Sequence, residues 1–270
     1  MPFFLSLSGV GPVLAQNAYI TNTSSSNVSV IDTATAAVTA TITVGVQPYG
    51  VAVSPDGQKV YVTNEASATV SVIDTGSNTV TSTIPVGAQP IGVAITPDGT
   101  AAYVANDASQ SVSVINTATN AVTATINGIN GNPVGVGITP DGSKVFVSTG
   151  GDLYVITTAT NTAADTGVNL PNAYGVVATP DGSKVYVASC NNGNVTVINP
   201  ATNAVIAAIP TGPCARGVAV SPDGATLYVA NAAGNSVSVI NTATNQVTLG
   251  QRHQSPRRLG LSGWHSTLGG

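Results

Sequence analysis

The sequence predicts an all-β protein built from six copies of one unit, and three observations support this prediction. An aromatic-led segment recurs at intervals of 40–43 residues, starting at Tyr19, Tyr61, Tyr103, Phe146, Tyr186 and Tyr228. Apolar and polar residues alternate within each copy, which is the period of a β-strand. A Ser/Thr-Pro-Asp-Gly turn precedes the aromatic residue in all copies but the first. Self-similarity at this period indicates a repeat architecture.

Residues 49–86 show what one unit contains. Small and β-branched residues alternate over 50–54, which predicts a first strand. Residues 54–57 then form a turn, because proline presets φ, aspartate bonds its own backbone and glycine accepts a positive φ. Further strands are predicted at 60–63, 70–73 and 80–84. The corner before the last strand contains Asn78, a residue type that tolerates positive φ, and an asparagine recurs there as Asn120, Asn203 and Asn245.

Four short antiparallel strands per unit predict one blade of a β-propeller. Blades packed around an axis bury both sheet faces, and Val60, Val62, Val70 and Val72 supply apolar flanks for this packing. We expect the repeated aromatic residues to lie in this core. The chain enters at the second strand of blade 1. The missing first strand is therefore expected from the C-terminal end, which would close the ring and remove the open sheet edges.

These motifs resemble those of a known family. The strings YVTN from Tyr61, SPDG from Ser54 and IDTAT from Ile31 are similar to the YVTN-type β-propeller repeats of prokaryotic surface-layer and secreted proteins. The resemblance covers residues 16–249. Members usually have seven blades, so six recognisable units leave this ring one short of the usual number. The resemblance implies an extracellular or periplasmic ring used in surface layers, adhesion or ligand binding.

The two ends of the chain differ from the repeats. Residues 1–15 are apolar and end in small residues, which predicts a signal peptide, although its positive start is missing; the alternative is a remnant of a preceding blade. Residues 250–270 lose the repeat pattern. We interpret them as a degenerate closing strand, a frame-shifted copy of another blade, or a disordered tail. Both histidines, His253 and His265, lie there, so neither is taken as a ligand or a base.

Composition argues against several classes of function. Only 7% of residues are charged and the net charge is −4, without the basic stripe expected of a nucleic-acid-binding protein. No apolar run reaches the roughly 20 residues that a membrane-spanning helix needs. The repeated turn aspartates are interpreted as structural, no trusted histidine is available as a base, and no cluster has metal-ligand spacing. We therefore expect no catalytic residue, no metal and no cofactor.

Two cysteines predict a disulfide bond. Cys190 lies just after the second strand of blade 5, and Cys214 lies in the connection into blade 6. Both kinds of loop open on the same face of a propeller. An exported chain favours a bond between them, and free thiols are the alternative.

A binding surface is predicted where residue type varies at a fixed repeat position. The residue before the first-strand glycine should ring the central channel, and it is Tyr49, Ile91, Val134, Tyr174 and Arg216 in turn. We place Gln47, Gln89, Glu65 and Asp107 on the same face. The alternative is that all are ordinary loop residues. Asparagines that end the second strand, by contrast, are expected to bond loop backbone: Asn22, Asn64, Asn106 and Asn231.

These expectations predict a secreted, periplasmic or cell-surface β-propeller that acts as a non-catalytic binding, interaction or surface-layer module. Its expected partner is a protein or a carbohydrate at the cell surface. Two rival functions are kept open. One is a propeller-type enzyme or enzyme subunit, such as a lyase or a quinone-linked dehydrogenase. The other is a nucleic-acid-binding propeller, which the acidic charge balance disfavours.

Overall fold

Six antiparallel sheets follow one another along the chain, and each has the order of a simple meander. The computed structural model describes residues 17–252, with side chains through residue 248. Among these residues, no helix is long and apolar enough to cross a membrane. The predicted six-bladed, all-β propeller is confirmed. The interpretations of residues 1–15 and of residues 253–270 lie outside the described part.

The strand bounds agree closely with the predicted unit. Within the described residues, blade 1 comprises β1 (Asn17–Asn22), β2 (Asn27–Asp32) and β3 (Ala37–Thr43), with a 3-10 turn at Thr23–Ser25. Blades 2 and 3 contain β4 (Pro48–Val53), β5 (Lys59–Asn64), β6 (Thr69–Asp74), β7 (Thr79–Pro85), β8 (Pro90–Ile95), β9 (Ala101–Asn106), β10 (Ser111–Asn116) and β11 (Ala121–Ile126).

The second half repeats this pattern. Blades 4 and 5 contain β12 (Gly135–Ile138), β13 (Lys144–Ser148), β14 (Asp152–Thr157), β15 (Thr162–Asn169), β16 (Ala173–Ala178), β17 (Val185–Ser189), β18 (Asn194–Ile198) and β19 (Val205–Pro210). Blade 6 contains β20 (Ala215–Val220), β21 (Thr226–Asn231), β22 (Ser236–Asn241) and β23 (Val247–Arg252). Strand β23 therefore extends into the segment 250–270, in which the sequence pattern is lost.

Dry apolar contact between neighbouring blades forms the core. Tyr61, Val70 and Val72 of blade 2 pack against Val104 and Ile115 of blade 3. A similar cluster lies between blades 1 and 2, and others follow around the ring. Each fully buried valine contributes about 1.5–3 kcal/mol, so stability is a sum of many similar terms. The predicted core role of the repeated aromatic residue is confirmed for blades 1 to 5.

Blade 6 differs from blades 1 to 5 in the exposure of one sheet face. The described residues do not cover its face that would pack against a following blade. Tyr228 is 45% exposed, whereas its equivalent Tyr61 is fully buried. Val237 is 43% exposed, whereas its equivalent Val70 is fully buried. This face corresponds to the one that, in blade 2, packs against the next sheet. The closing strand expected from the C-terminal end lies outside the described residues.

Glycines at the hub allow the first strands of successive blades to meet at their backbones. Each first strand, from β4 through β8, β12 and β16 to β20, contacts the next. A Cβ atom at the glycine after the rim position would overlap or crowd the next blade's rim carbonyl oxygen, and this holds for Gly50 with Ile91, Gly92 with Val134, Gly135 with Tyr174, and Gly175 with Arg216. The glycine is therefore a packing requirement.

The repeated turn aspartates are structural, as predicted. Asp56 accepts hydrogen bonds from the Ser54 hydroxyl at 2.5 Å and from the Gln58 amide at 3.0 Å. The hydroxyl and amide bonds at the same turn in blades 4 and 5 lower the pKa of Asp141 and of Asp181 to about 2. The prediction that the corner asparagines adopt positive φ is also confirmed, with values of 53–60° at Asn78, Asn120, Asn203 and Asn245.

The expectation that the second-strand asparagines bond loop backbone was wrong. The Asn64 side-chain amide donates to the hydroxyls of Thr69 and Ser71, at 3.1 and 2.9 Å. Equivalent bonds join Asn106 and Asn231 to serine hydroxyls of their own third strands. The asparagine is buried in the sheet end, so the nearest acceptors are the paired strand's hydroxyls and not the loop.

Candidate functional site

The meander places two kinds of segment at each end of every complete sheet. Loops between second and third strands lie at the same end as the connections between blades, and this end is called the mouth face. The Pro-Asp-Gly turns and the corners before the fourth strands lie at the opposite end, which is called the turn face. All residues predicted for binding are found in mouth-face segments or next to them.

The five residues predicted for the rim share one position in the structure. Each comes directly before the glycine of a first strand, so the contact between successive first strands brings them around the hub. Tyr49 lies in β4, Tyr174 in β16 and Arg216 in β20. Ile91 is buried and Val134 is half-buried. These two residues therefore add only apolar surface to the rim. Its polar groups come from Tyr49, Tyr174 and Arg216, in blades 2, 5 and 6.

Arg216 is the most distinctive residue of the mouth. Its guanidinium carbon lies 4.5 Å from the centroid of the Tyr174 ring, a cation–π contact. One terminal nitrogen donates to the Tyr174 hydroxyl at 3.3 Å. The Nε–H is buried and has no hydrogen-bond partner. The side chain as a whole is half-buried, and its positive charge favours an anionic or carbonyl oxygen as a partner.

Electrostatic coupling shows that residues from different blades lie close together. Burial raises the pKa of Tyr49, and the charge of Arg216 acts in the opposite direction. Tyr174, Glu65 and Asp107 add smaller contributions that raise the same pKa. Burial, and then the neighbouring Asp107 carboxylate, raise the pKa of Glu65. The mouth therefore contains an arginine, a second tyrosine and two carboxylates within electrostatic range of Tyr49.

Gln47 and Gln89 position the two carboxylates through their backbones. Both have positive φ, 55° and 53°, and both side chains are exposed on the mouth face. The Gln47 carbonyl accepts a hydrogen bond from the Glu65 amide at 2.9 Å, and the Gln89 carbonyl accepts one from the Asp107 amide at 2.9 Å. Asp107 Oδ1 is buried without a hydrogen-bond partner. This oxygen is therefore an unsatisfied buried acceptor, a group that costs free energy to bury.

The predicted disulfide between Cys190 and Cys214 is present. Cys190 occupies the repeat position of Glu65 and Asp107, and its amide donates to Asn172 O at 2.9 Å. Cys214 occupies the position of Gln47 and Gln89 and shares their positive φ, 57°. The bond therefore ties the blade 5 loop to the connection that leads to Arg216, two residues later.

These groups bring together one cation, aromatic rings and hydrogen-bond acceptors. Arg216 supplies a cation, the tyrosines supply aromatic faces and hydroxyls, and Glu65 and Asp107 supply acceptors, as in binding sites that combine flat surfaces with a few polar groups. Within residues 17–252 there is no group of three His, Cys, Asp or Glu side chains that could hold a metal ion.

Sequence reasoning missed two features of this face. Ser189, at the asparagine position of blade 5, is fully buried and its hydroxyl has no partner. Asn172 donates its side-chain amide to Asn191 Oδ1 at 2.6 Å, linking the connection into blade 5 to that blade's own loop. The repeat alignment signals Ser189 as a departure from asparagine, whereas the Asn172 contact depends on loop geometry.

Comparisons with known proteins support the fold. Residues 57–168, from the first turn of blade 2 to the outer strand of blade 4, match the family model described as YNCE-like beta-propeller. A sequence search of curated proteins finds no match. The chain is similar to "Kuenenia stuttgartiensis Hydrazine Synthase" at 25% identity and a TM-score of 0.65, covering 90% of this chain and 96% of that one.

A second solved structure is also similar. It is a functionally unknown protein from Desulfotomaculum acetoxidans DSM 771, with 20% identity, a TM-score of 0.74 and coverage of 87% of this chain and 80% of that one. These likenesses extend over most of the propeller, whereas the family model covers less than half of the chain. The protein is thus a six-bladed β-propeller, similar over blades 2 to 4 to YNCE-like propellers.

Proposed function

We propose that this protein is an exported, non-catalytic binding module that holds a cell-surface protein or carbohydrate on its mouth face. The observation that carries the proposal is the cluster of non-repeating residues at repeating positions: Arg216, Tyr174 and Tyr49 with Glu65 and Asp107. A structural rim would repeat from blade to blade. Varied side chains at one position, set on a rigid scaffold, are typical of a binding surface.

The charge of the mouth indicates which group the ligand carries. The half-buried guanidinium of Arg216 favours a carboxylate, because charge-assisted hydrogen bonds are the stronger ones. Tyrosine rings beside the arginine suit a sugar or a peptide side chain, since each ring buries a large area at low entropic cost. The disulfide supports export, because such bonds persist in oxidising compartments.

Arrays of uronic-acid oligosaccharides, neutral oligosaccharides and peptides test the proposal. We expect an acidic oligosaccharide or peptide to bind, and Arg216→Gln to weaken that binding about tenfold or more, since a hydrogen bond to a charged group contributes about 1.5–3 kcal/mol. Gln58→Ala, on the exposed turn face, serves as the matched control and should bind like the parent. Equal binding by Arg216→Gln and the parent protein contradicts the proposal.

The likeness to a protein named hydrazine synthase favours a second candidate, an enzyme or enzyme subunit of the propeller type. The same arrays separate the two candidates if each bound compound is followed by NMR. A compound that is consumed by the parent protein and left intact by Arg216→Gln supports the enzyme. A compound that binds and is recovered unchanged supports the binding module.

A further inference from the structure

Three lysines at equivalent positions on the turn face each donate a hydrogen bond to a backbone carbonyl of the next blade. Lys59, at the start of the second strand of blade 2, donates its ammonium group to the Thr117 carbonyl of blade 3 at 2.8 Å. The lysines at the same position in blades 4 and 5 reach the next blade at the same place, Lys144 to Pro200 O and Lys184 to Thr242 O. Each of these three blade junctions therefore binds a primary ammonium group.

The junction between blades 3 and 4 lacks this lysine. Ala101 occupies the lysine position there, and Thr158 supplies the equivalent corner carbonyl. A cleft of about 680 Å³ opens at this junction, lined by Ala101 and Thr158. The lysine-containing clefts are smaller, about 430 Å³ beside Lys59 and about 300 Å³ beside Lys144. The lysine-free junction therefore has the largest of these three clefts, with room for a ligand.

The polar lining of this cleft matches that of the lysine-containing clefts. Two turn carboxylates border it, Asp98 from blade 3 and Asp141 from blade 4. The equivalent pair borders the cleft of Lys59, with Asp56 and Asp98, and that of Lys144, with Asp141 and Asp181. The turn carboxylates that lie beside a lysine ammonium group at the other junctions are therefore also present between blades 3 and 4, where the chain supplies no ammonium group.

The hydrogen bonds within the cleft do not use all the acceptor positions of its two carboxylates. The Tyr103 hydroxyl donates to Asn161 Oδ1 at 2.9 Å, a bond within the cleft lining that needs no ligand. Asp98 and Asp141 accept bonds from hydroxyls and amides of their own turns, and both residues are exposed. An ionised carboxylate has about four acceptor positions, so each retains capacity for an ammonium donor.

We propose that the cleft between blades 3 and 4 binds the primary alkylammonium group of a ligand, in the manner of the lysines at the sibling junctions. The ammonium group donates to Thr158 O and lies beside the carboxylates of Asp98 and Asp141. The alkyl stem lies over Ala101, where a lysine would place its own methylenes. This site is on the turn face, so it is independent of the function proposed for the mouth.

The test uses n-propylammonium, which has the atoms that lysine carries beyond Cβ. Titration is followed by ¹H–¹⁵N NMR spectra of the oxidised full-length protein. We expect saturable shifts at the amides of Ala101, Asp141 and Thr158. Ala101→Lys should fill the site with its own side chain and weaken binding about tenfold or more, the range of a charge-assisted hydrogen bond. n-Propanol, which is neutral and similar in size, should not shift these amides.

A second variant keeps the test decisive if Ala101→Lys does not fold. Lys59→Ala creates the same lysine-free cleft between blades 2 and 3, so n-propylammonium should gain a second site with shifts around Thr117 and Asp98. Any one of the following results would overturn the proposal: no shifts in the parent protein, equal shifts in Ala101→Lys, or equal shifts with n-propanol. Equal shifts at the clefts of Lys144 and Lys184 would also overturn it, because they indicate unspecific binding.

Two sources can present this ammonium group, a free diamine or a lysine side chain of another polypeptide. Putrescine represents the first and Nα-acetyl-lysine methylamide the second, both titrated under the same conditions. Saturable binding of either compound, lost in Ala101→Lys, supports the site, and the tighter of the two identifies the source. Failure of both to bind contradicts the proposal.

Discussion

Replacing Gly92 with alanine is expected to destabilise the protein by about 3 kcal/mol or more, the cost of forcing an atom into a packed backbone contact. The added Cβ would overlap the Val134 carbonyl oxygen and would lie 3.3 Å from Val136 N. Both atoms belong to the backbone at the first strand of blade 4. They cannot rotate away, so the hub must open. Urea unfolding followed by circular dichroism measures the change in the free energy of unfolding.

Gly151→Ala is the matched control for this substitution. A Cβ at Gly151 has no neighbour within 4 Å, and its φ is not in the region that favours glycine. The same chemical change there should alter the free energy of unfolding by less than about 1 kcal/mol. Equal stability of Gly92→Ala and Gly151→Ala would show that the first strands do not meet at the hub.

Loss of the disulfide bond is expected to cost about 3 kcal/mol, because the bond restricts the unfolded chain across a separation of 24 residues. The variant to compare is Cys190→Ala combined with Cys214→Asn. Asparagine suits the positive φ of Cys214, since Asn132 and Asn172 have positive φ in corresponding connections. The substitution therefore removes the bond with little change in backbone preference. Urea unfolding of the oxidised parent and the variant gives the difference.

Reduction of the parent protein supplies the control. Reductant should lower the stability of the parent to about that of the double variant and leave the variant unchanged. Iodoacetamide labelling followed by mass spectrometry should modify Cys190 and Cys214 only after reduction. Labelling of the unfolded parent without reductant would contradict the bond and its contribution to stability.

Much of the fold could be predicted from the sequence because the information is local and repeated. The alternation over 60–63 and 70–73 predicted strands that the structure extends by one or two residues to Lys59–Asn64 and Thr69–Asp74. Turn chemistry located the corners at Asp56 and Asn78. The disulfide was also predictable, because the alignment of the repeats places both cysteines on one face of adjacent blades.

Contacts between blades were harder to predict because they join residues far apart in sequence. Lys59 and Thr117 are 58 positions apart, and nothing in a single repeat shows that this ammonium group reaches that carbonyl. The same holds for Gly92, whose role depends on how closely β8 approaches the chain at Val134. The Asn64 bonds were missed for a different reason: a polar side chain at a strand end has both loop and strand acceptors within reach.

The pKa of Tyr49 tests most directly the central claim, that residues from distant blades converge at one mouth. NMR titration of ¹³C-labelled tyrosines measures it in the parent protein and in Arg216→Gln. The positive charge of Arg216 favours the phenolate, so removing it should raise the pKa of Tyr49 further, while that of Tyr103 stays constant. An unchanged pKa of Tyr49 would place Arg216 away from blade 2 and contradict the mouth site.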